Sequence, residues 1–379
     1  MRLAPFELER FFARHEFSAP YLLCSSDVEA LTLNELLGLA DDRGRALWAE
    51  LSLGYTESQG APFLREAIAG LYEGVEADDV LVFAGAEEAI FCFANVALAP
   101  GDHAIVTWPA YQSLFEVAGA AGAELTLLEL EHDSGWGLDL DALEAQVRSE
   151  TRAIVVNFPH NPTGAQLDRA SFARLVDIAE AAGATLFSDE VYRWLEHDPA
   201  LRLPAAVEAS SSAASLGVMS KTFALAGLRI GWVASRDRDL LARLAAFKDY
   251  TTICSSAPSE VLSLIALRAL DHVVERSRSI VAANMALLDD FFERRSEQFE
   301  WVRPTAGPIG FPKLVSEPGV EPFCADLVRE AGVLLLPGAV YGHPGNHFRI
   351  GFGRRNLPEA LERLDRFIDG RPRAGSRAA

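Results

Sequence analysis

The feature that most constrains the fold is an alternation of short apolar runs with helical segments between residues 80 and 235. The runs are bounded by Gly, Asp or Pro, which predicts strands at Val80–Ala84, Ala104–Trp108, Glu124–Leu128, Ala153–Asn157, Ala184–Ser188, Ser215–Met219 and Ile230–Ala234. Segments of helical periodicity, such as Glu87–Ala97 and Asp168–Ala182, lie between most of them. This alternation predicts an α/β fold with a mainly parallel sheet in a three-layer α/β/α domain.

The pattern changes after Ser235. A nearly uninterrupted helical stretch is predicted from about Pro258 to Gln298, and short strands and helices follow it. This change predicts a second, smaller α+β domain. We therefore expect an N-terminal segment at residues 1–30 that joins the small domain, a large domain at residues 31–240 and the small domain at residues 241–379.

Charge and composition exclude several classes of function. The chain has 34 Lys and Arg against 54 Asp and Glu, and its formal net charge of -20 repels nucleic acids and anionic membranes. No stretch approaches the roughly 20 apolar residues of a membrane helix, and the N-terminus has no secretory or transit pattern. Four widely spaced cysteines without CxxC pairs fit a reducing compartment. We expect a cytoplasmic protein with no nucleic-acid partner and no membrane contact.

Polar residues follow the predicted strands, at the positions where ligands bind in open α/β sheets. These residues are Gly85-Ala86-Glu87, Pro109-Ala110-Tyr111, the run FPHNPTG from Phe158 to Gly164, Asp189-Glu190-Val191-Tyr192 and Ser220-Lys221. Because the carboxyl ends of parallel strands meet at one edge of a sheet, we expect a ligand site there.

Lysine is scarce, since it occurs only at Lys221, Lys248 and Lys313. Lys221 follows an apolar strand, where burial would lower the pKa of its amine and free it for Schiff-base chemistry. The other two lysines lie in polar-flanked segments with no such feature. An imine on Lys221 implies an aldehyde cofactor. Pyridoxal phosphate would need a phosphate site, a carboxylate at its pyridine nitrogen and a flat partner for its ring.

Residues at the other strand ends have the chemistry for these three needs. Gly85-Ala86 opens a predicted helix, whose free backbone N–H groups suit a phosphate. Asp189 would hold the pyridine nitrogen protonated, and Tyr111 would stack on the ring. Each residue taken singly is a weak signal, because a strand-end Asp is as often a helix cap and a lone Tyr is usually part of the core.

Five motifs together carry a resemblance to a known family. They are SLGYTESQGAPFLREAIAGLY, NFPHNPTG, SDEVY, SKTFALAGLRIGW and FRIGFG. In order and spacing they resemble fold-type I pyridoxal-phosphate enzymes of the class I/II aminotransferase family, over about residues 50–370. The resemblance implies pyridoxal 5'-phosphate as cofactor and transfer of an amino group between an amino acid and a 2-oxo acid.

The resemblance also implies roles for individual residues. Lys221 would hold the cofactor as an imine and move the proton, with Asp189 at the pyridine nitrogen. Asn161 and Tyr192 would hydrogen-bond the phenolic oxygen of the cofactor, and Tyr111 would stack on its ring. The catalytic residues would then be Lys221, Asp189 and Tyr192.

Phosphate and substrate contacts follow from the same resemblance. The cofactor phosphate would bind at Gly85, Ala86, Glu87, Ser220 and Arg229. Arg349 in FRIGFG resembles the arginine that binds the substrate α-carboxylate, with Asn161 also at the substrate, and a guanidinium suits a two-point grip on a carboxylate. Tyr55 resembles the tyrosine that reaches the partner's phosphate across a dimer interface, which implies a homodimer.

Three features depart from the family pattern. Many relatives have a hydroxyl residue three positions before the lysine, where this chain has Val218. Glu87 puts a carboxylate near a dianionic phosphate, so we expect its side chain to turn outward. The segment APYLLCSSDVEALTLNELLGLA replaces a Gly-rich stretch. It resembles that of atypical members that act on arginine-derived amino acids, such as capreomycidine synthase, and Glu87 and Glu57 would then face a cationic substrate.

Other functions remain open at this point. A lyase or cyclase that eliminates or replaces a β or γ group of an amino acid, including an arginine-derived one, would use the same cofactor contacts. A ligand-sensing regulator would need a basic helix-turn-helix region, which the sequence lacks. The sequence has no GxxxxGK[ST] loop and no strand-end GxGxxG. It also has no HExxH or paired-ligand spacing, so we expect no metal.

Overall fold

The structure is a computed structural model that describes residues 2–316 and 319–371. Within those residues the main sheet has seven strands: β1 (Val80–Phe83), β2 (His103–Trp108), β3 (Glu124–Glu129), β4 (Thr151–Asn157), β5 (Thr185–Asp189), β6 (Ala214–Val218) and β7 (Gly231–Ser235). They coincide to within two residues with the seven predicted strands. The prediction succeeded because strands buried on both faces appear in the sequence as short continuous apolar runs.

The main sheet has the strand order β1-β7-β6-β5-β4-β2-β3. The strands from β6 to β3 in that order are parallel, whereas β7 is antiparallel to both of its neighbours. The register pairs Asn157 with Asp189, the last residues of β4 and β5. The carboxyl ends of these strands therefore lie side by side, as a ligand site at that edge requires.

Helices cover both faces of this sheet. Those that precede residue 250 are α1 (Glu7–His15), α2 (Leu33–Gly38), α3 (Asp42–Ala49), α4 (Pro62–Ala69), α5 (Ala86–Ala97), α6 (Gln112–Ala120), α7 (Leu140–Ala145), α8 (Arg169–Ala182), α9 (Ala206–Ala209) and α10 (Arg238–Lys248). Phe93 of α5 stacks on Phe187 of β5 with ring centroids 4.1 Å apart. On the opposite face, Leu175 of α8 shares an apolar cluster with Ile154 of β4. The three-layer α/β/α prediction is confirmed.

The limits of α8 follow directly from its sequence. Asp168 accepts a hydrogen bond of 2.8 Å from the backbone N–H of Ser171, which caps the first turn. Gly183 ends the helix with a φ of 64°, in the left-handed region that a glycine adopts without a steric penalty. The chain turns at this glycine and enters β5 two residues later.

One helix after residue 250, α11 (Ala257–Arg268), packs against α3 and α4 beside the main sheet. The remaining elements form the smaller α+β part. They are α12 (Leu270–Arg294), β8 (Phe299–Glu300), β9 (Ile309–Gly310), β10 (Lys313–Leu314), α13 (Val320–Ala331), β11 (Leu336–Pro337), β12 (Phe348–Gly351) and α14 (Leu357–Asp369). The strands pair antiparallel, as β11-β12-β9 and as β10-β8. In residues 2–316 and 319–371 no helix is both long and apolar enough to cross a membrane.

The prediction of a nearly uninterrupted helical stretch from about Pro258 to Gln298 is confirmed over residues 257–294, with one break. The stretch contains two helices, α11 and α12, which meet at Ala269 with φ -102° and ψ 29°. Neither Gly nor Pro stands at the junction, so the local sequence carries no signal for the change of direction. The ψ of Ala269 departs from the helical range of about -42°.

The N-terminal segment contacts the smaller part of the chain. The backbone N–H of Leu334 donates to the carbonyl of Tyr21 at 2.8 Å, and that of Gly351 donates to the carbonyl of Leu23 at 3.1 Å. The segment also contacts the large domain, where the backbone N–H of Glu7 donates to Oε1 of Gln112 at 2.9 Å, so the union of residues 1–30 with the small domain stays a prediction. The domain limits at residues 30 and 240 stay predictions, and residues 372–379 lie outside the described part of the chain.

Candidate active site

A cavity of about 340 Å³ lies at the carboxyl ends of β4, β5 and β6. The predicted site residues that line it are Ala86, Glu87, Tyr111, Asn161, Asp189, Tyr192, Ser220, Lys221 and Arg229. Gly85 and Arg349 adjoin this wall, because Gly85 packs against Arg229 and Arg349 bonds to Asn161. Tyr55 is 91% exposed and does not line the cavity of its own chain.

Lys221 follows β6 and projects into this cavity. Its Nζ donates a hydrogen bond of 2.8 Å to Oγ of Ser26, a contact that the sequence did not suggest. Burial lowers the pKa of Lys221 from 10.5 to about 8, and the nearby carboxylate of Asp27 opposes part of this shift. Near neutral pH the amine is therefore more often neutral than that of an exposed lysine, as a nucleophile or base requires.

Asp189, the last residue of β5, is buried beside this lysine. Burial raises the pKa of Asp189 from 3.8 to about 7, while the N–H of Val191 and the charge of Lys221 lower it. Its Oδ1 accepts that N–H at 3.2 Å. A cation placed against the carboxylate would favour its ionised form, so the site suits a protonated ring nitrogen.

Asn157, at the end of β4, was missed as a site residue. Its Nδ2 donates to the carbonyl of Asp189 at 2.9 Å, and its Oδ1 accepts the backbone N–H of Asn161 at 2.8 Å. These hydrogen bonds hold the backbone at Asp189 and at Asn161, and both residues line the cavity. A polar amide at the end of a buried strand, next to the strand of Asp189, was the available signal.

Arg349 of β12 is held in a buried network. Its Nε donates to the carbonyl of Cys24 at 2.9 Å, and its Nη1 donates to Oδ1 of Asn161 at 3.2 Å. The hydroxyl of Tyr341 donates to the same oxygen of Asn161 at 2.9 Å and accepts from Arg349. Tyr341, which sequence reasoning missed, thus orients both groups expected to meet the substrate carboxylate.

The start of α5 has the features of an anion site. Gly85 has a φ of 93° and leaves the first N–H groups of the helix without a side-chain cap. A Cβ atom at Gly85 would lie only 2.6 Å from Nη2 of Arg229, so a glycine is needed for the guanidinium to approach. Free N–H groups and a guanidinium at one place fit a phosphate. We call residues 84–88 the phosphate loop.

Tyr192 supplies a second point of fit. Its hydroxyl is buried on the cavity wall, and its contact with the nearby Ser26 falls short of a well-formed hydrogen bond. A buried hydroxyl normally makes a well-formed hydrogen bond, so its place on the cavity wall indicates a ligand oxygen. The phosphate loop, Tyr192 and Asp189 together match the phosphate, the phenolic oxygen and the pyridine nitrogen of pyridoxal phosphate.

The expectation that Glu87 turns outward is wrong. Its Oε1 accepts a hydrogen bond from Oγ of Ser113, and its Oε2 is buried without a partner among the described residues. Burial raises the pKa of Glu87, which the hydroxyls of Ser113 and Tyr111 oppose. The physical reason is that α6 packs beside α5, so this first-turn side chain faces a neighbouring helix and not solvent.

The N-terminal segment adds an acidic wall that strand-end reasoning missed. Glu9, Glu16 and Asp27 all line the cavity, and Asp27 pairs with Arg354 at 2.9 Å. Burial, Glu9 and Asp27 all raise the pKa of Glu16. Glu57, the other acid expected to face a cation, is exposed and is not part of the wall.

Comparison with known proteins identifies the family. The family model described as aminotransferase class I and II matches residues 22–364. The chain belongs to this family. The resemblance inferred from the five motifs is therefore confirmed, and the cofactor of this class I and II aminotransferase family member is pyridoxal phosphate.

Individual relatives of this family member include both aminotransferases and cyclases. Capreomycidine synthase of Streptomyces vinaceus is 31% identical, over 97% of this chain and 95% of that protein. A pyridoxal-phosphate-dependent aminotransferase of Streptococcus suis is similar in structure, with a TM-score of 0.92 and 33% identity over 97% of this chain and 98% of that one. The cyclase OrfR gives a TM-score of 0.89 and 30% identity over 98% and 99%.

Metal ligation finds no support in the part of the chain that the structure describes. There, no group of three or more His, Cys, Asp or Glu side chains is arranged to hold a metal ion.

Proposed function

We propose that this chain is an aminotransferase that moves an amino group between an amino acid and a 2-oxo acid, with Lys221 as its Schiff-base lysine. One observation carries the proposal. The amine of Lys221, its pKa lowered to about 8, faces the same cavity as the buried carboxylate of Asp189 and the guanidinium of Arg229. These groups match the aldehyde, ring nitrogen and phosphate of the cofactor.

Each residue of the site has a separate role in the proposed reaction. Pyridoxal phosphate, when bound, draws electrons from the Cα atom of the attached amino acid. Nζ of Lys221 takes the proton from that Cα atom as a general base and later gives it up again. Asp189 holds the positive charge at the ring nitrogen. Arg349, oriented by Tyr341, binds the substrate α-carboxylate, and the phosphate loop holds the cofactor in place.

The test combines a substrate screen with the visible absorbance of the bound cofactor. The purified holoenzyme is mixed with single amino acids, and 2-oxo acids are then added. We expect one amino acid to change the absorbance and a 2-oxo acid to restore it, with transfer of the amino group measured directly. Lys221→Arg should abolish both changes and Lys313→Arg neither. Unchanged turnover in Lys221→Arg would contradict the proposal.

A second candidate is a cyclase or lyase that acts on a cationic, arginine-derived amino acid. It is favoured by the acidic wall, because Glu9, Glu16 and Asp27 suit a guanidinium or ammonium group on the substrate side chain. Capreomycidine synthase and OrfR, which match nearly the whole chain, support it. Incubation with arginine and with a β-hydroxylated arginine, without any 2-oxo acid, decides. A cyclised product or free ammonia supports this candidate, whereas strict dependence on a 2-oxo acid supports amino transfer.

We also propose a cytoplasmic homodimer in which Tyr55 contacts the partner's phosphate site. Leu53, Tyr55 and Tyr250 are among the most exposed large apolar side chains, with exposures of 83%, 91% and 91%. Surfaces that expose several large apolar groups commonly bind another protein. Sedimentation of the holoenzyme tests the dimer, and cell fractionation tests the location.

A further inference from the structure

Lys248, the last residue of α10, is fully buried although its sequence context suggested an ordinary polar position. Its Nζ donates to the carbonyl of Ser58 at 2.8 Å and to the carbonyl of Ile253 at 3.0 Å. The amine does not line the cavity of Lys221. A buried lysine is costly unless it is paired, so its two carbonyl contacts need an explanation outside the chemistry at Lys221.

The hydrogen bond from Lys248 to the carbonyl of Ser58 holds the segment that bears Tyr55. We call residues 52–61 the Tyr55 segment. Oγ1 of Thr56 donates to the carbonyl of Ser255 at 3.2 Å, and the N–H of Ala61 donates to Oε1 of the buried Glu260 at 3.1 Å. Hydrogen bonds at Thr56, Ser58 and Ala61 therefore hold the segment that carries the exposed ring of Tyr55.

The hydrogen bond from Lys248 to the carbonyl of Ile253 holds an unusual backbone conformation. Ile253 has a φ of 65°, a left-handed value that β-branched residues rarely adopt. Such conformations persist only where the surroundings hold them, and they cluster at functional positions. The amine of Lys248 supplies that constraint through the carbonyl of Ile253. The same loop exposes the ring of Tyr250, close in sequence to Ser255, which contacts the Tyr55 segment.

The loop is also tied to the phosphate loop. Oγ1 of Thr252 donates to Oε1 of Glu88 at 2.7 Å, and the other oxygen of Glu88 accepts the N–H of Ala84 at 2.6 Å. Ala84 and Glu88 both belong to the phosphate loop. Contacts therefore run without interruption from the chain's own phosphate site, through the loop of Thr252 and Ile253, to the Tyr55 segment.

We propose that Lys248 is a positioning residue that sets the Tyr55 segment at a fixed place relative to the phosphate loop, so that Tyr55 meets the phosphate site of a second copy of this chain. A lysine suits this task because one amine donates to two carbonyls from different loops, which an apolar side chain cannot do. The inference rests on the proposed homodimer.

A double-mutant cycle tests the proposal in the full-length apoenzyme. The affinity for pyridoxal phosphate is measured for the wild type, Lys248→Met, Tyr55→Phe and the double variant, with phosphate-free pyridoxal as the reference ligand. We expect each single variant to bind pyridoxal phosphate roughly tenfold more weakly and the double variant to be no weaker than the worse single variant. Affinity for pyridoxal should not change, and the surface variant Lys313→Met should behave as wild type.

The outcomes separate this inference from the proposed dimer. Losses that multiply, to roughly a hundredfold in the double variant, would mean that Lys248 acts independently of Tyr55 and would overturn the inference. So would equal losses for pyridoxal and pyridoxal phosphate. A wild type that sediments as a monomer would instead overturn the dimer. If Lys248→Met is insoluble, Thr56→Val replaces it in the cycle, and multiplying losses there would equally reject the inference.

Discussion

Nζ of Lys221 donates a hydrogen bond of 2.8 Å to Oγ of Ser26, which joins the edge of the main sheet to the N-terminal segment. The next residue, Asp27, pairs with Arg354 in the smaller part of the chain at 2.9 Å. The amine proposed to carry the chemistry is therefore oriented by a segment almost two hundred residues earlier in the sequence. Burial lowers the pKa of this amine, and the carboxylate of Asp27 in the same segment opposes part of the shift.

Replacing Ser26 by Ala should change the protonation of Lys221. The hydroxyl oxygen accepts from the ammonium form, so its loss lowers the pKa of Lys221 further and costs about 1 kcal/mol of orientation. We expect the acid limb of the pH–rate profile to move to lower pH and the rate to fall severalfold. Ser279→Ala, on the surface of α12, is the matched control. An unmoved acid limb with normal cofactor content would contradict this role for Ser26.

Replacing Asp189 by Asn should separate folding from catalysis. The pKa of Asp189 lies at about 7 in the apoenzyme, above its ordinary 3.8, so the folded state binds a proton that the unfolded state releases. Its contribution to the stability of the apoenzyme is therefore lost as pH rises from about 4 to about 7.

Asp189→Asn removes the part of the pH dependence of apoenzyme stability that Asp189 causes. Urea unfolding should find apo Asp189→Asn more stable than the wild type at about pH 8, by a few kcal/mol, with a smaller difference at about pH 5. Turnover of the holoenzyme should fall about a hundredfold, because the ring nitrogen loses its counter-charge. Parallel stability curves for the two apoenzymes would be inconsistent with a protonated Asp189.

Sequence reasoning located both the main sheet and the side of the cavity that the strand ends form, because both follow from one sequence pattern. Parallel strands covered on both faces are continuous apolar runs, so residues such as Asp189 and Lys221 could be assigned to their carboxyl ends. It could not find the junction at Ala269, where neither Gly nor Pro marks the turn. Ser26 and Tyr341 were missed because their approach to the cavity depends on tertiary packing between distant segments, which leaves no local pattern.

Glu87 gives a prediction about cofactor affinity. Glu87 belongs to the phosphate loop, its carboxyl has Ser113, Tyr111, Glu9 and Arg229 around it, and burial raises its pKa. The protonated form tolerates a dianionic phosphate and the ionised form repels it. Raising the pH should therefore weaken binding of pyridoxal phosphate to the wild type more than to Glu87→Gln.

The ratio of the two dissociation constants is the measurement. It should be close to one at low pH and reach about tenfold at high pH, when both apoenzymes are titrated with the same cofactor stock. Glu66→Gln, an exposed change on α4, controls for net charge. A ratio that stays constant with pH would show that Glu87 does not change its protonation near the phosphate.

A buried histidine cluster predicts acid sensitivity of the fold. His347 stacks on Phe311 and lies 4.8 and 5.1 Å from the rings of His343 and His132. Burial and these two histidines lower the pKa of His347 to about 3, and neither ring nitrogen has a partner among the described residues. Between about pH 6.5 and 3 the unfolded state therefore binds a proton that the folded state does not.

The stability supplied by neutral His347 is lost as pH falls through this window, by up to about 1.4 kcal/mol per pH unit. His347→Phe, which keeps the stacking on Phe311, should flatten the fall in the free energy of unfolding between about pH 6.5 and about pH 5. Exposed His272→Phe should leave it unchanged. Equal slopes in all three proteins would mean that other groups cause the acid sensitivity.

The acidic wall predicts discrimination by substrate charge. Glu9 and Glu16 line the cavity, and neither has an ion-pair partner among the described residues. A cationic side chain that reaches them gains a partly screened attraction of about 1 kcal/mol for each carboxylate. Glu9→Gln and Glu16→Gln should each lower kcat/KM severalfold for arginine or lysine and leave it unchanged for a neutral amino acid.

Asp27 is less suitable for this test, because its pairing with Arg354 and its effect on the pKa of Lys221 would alter both substrates at once. Glu7→Gln, on α1 outside the cavity wall, is the matched control. Equal losses for arginine and for a neutral amino acid would mean that α1 acts by closing the cavity and not by its charge. A loss confined to the cationic substrates, which weakens further as salt is added, would identify the carboxylates themselves as the specificity determinants, because added ions screen partly exposed charges.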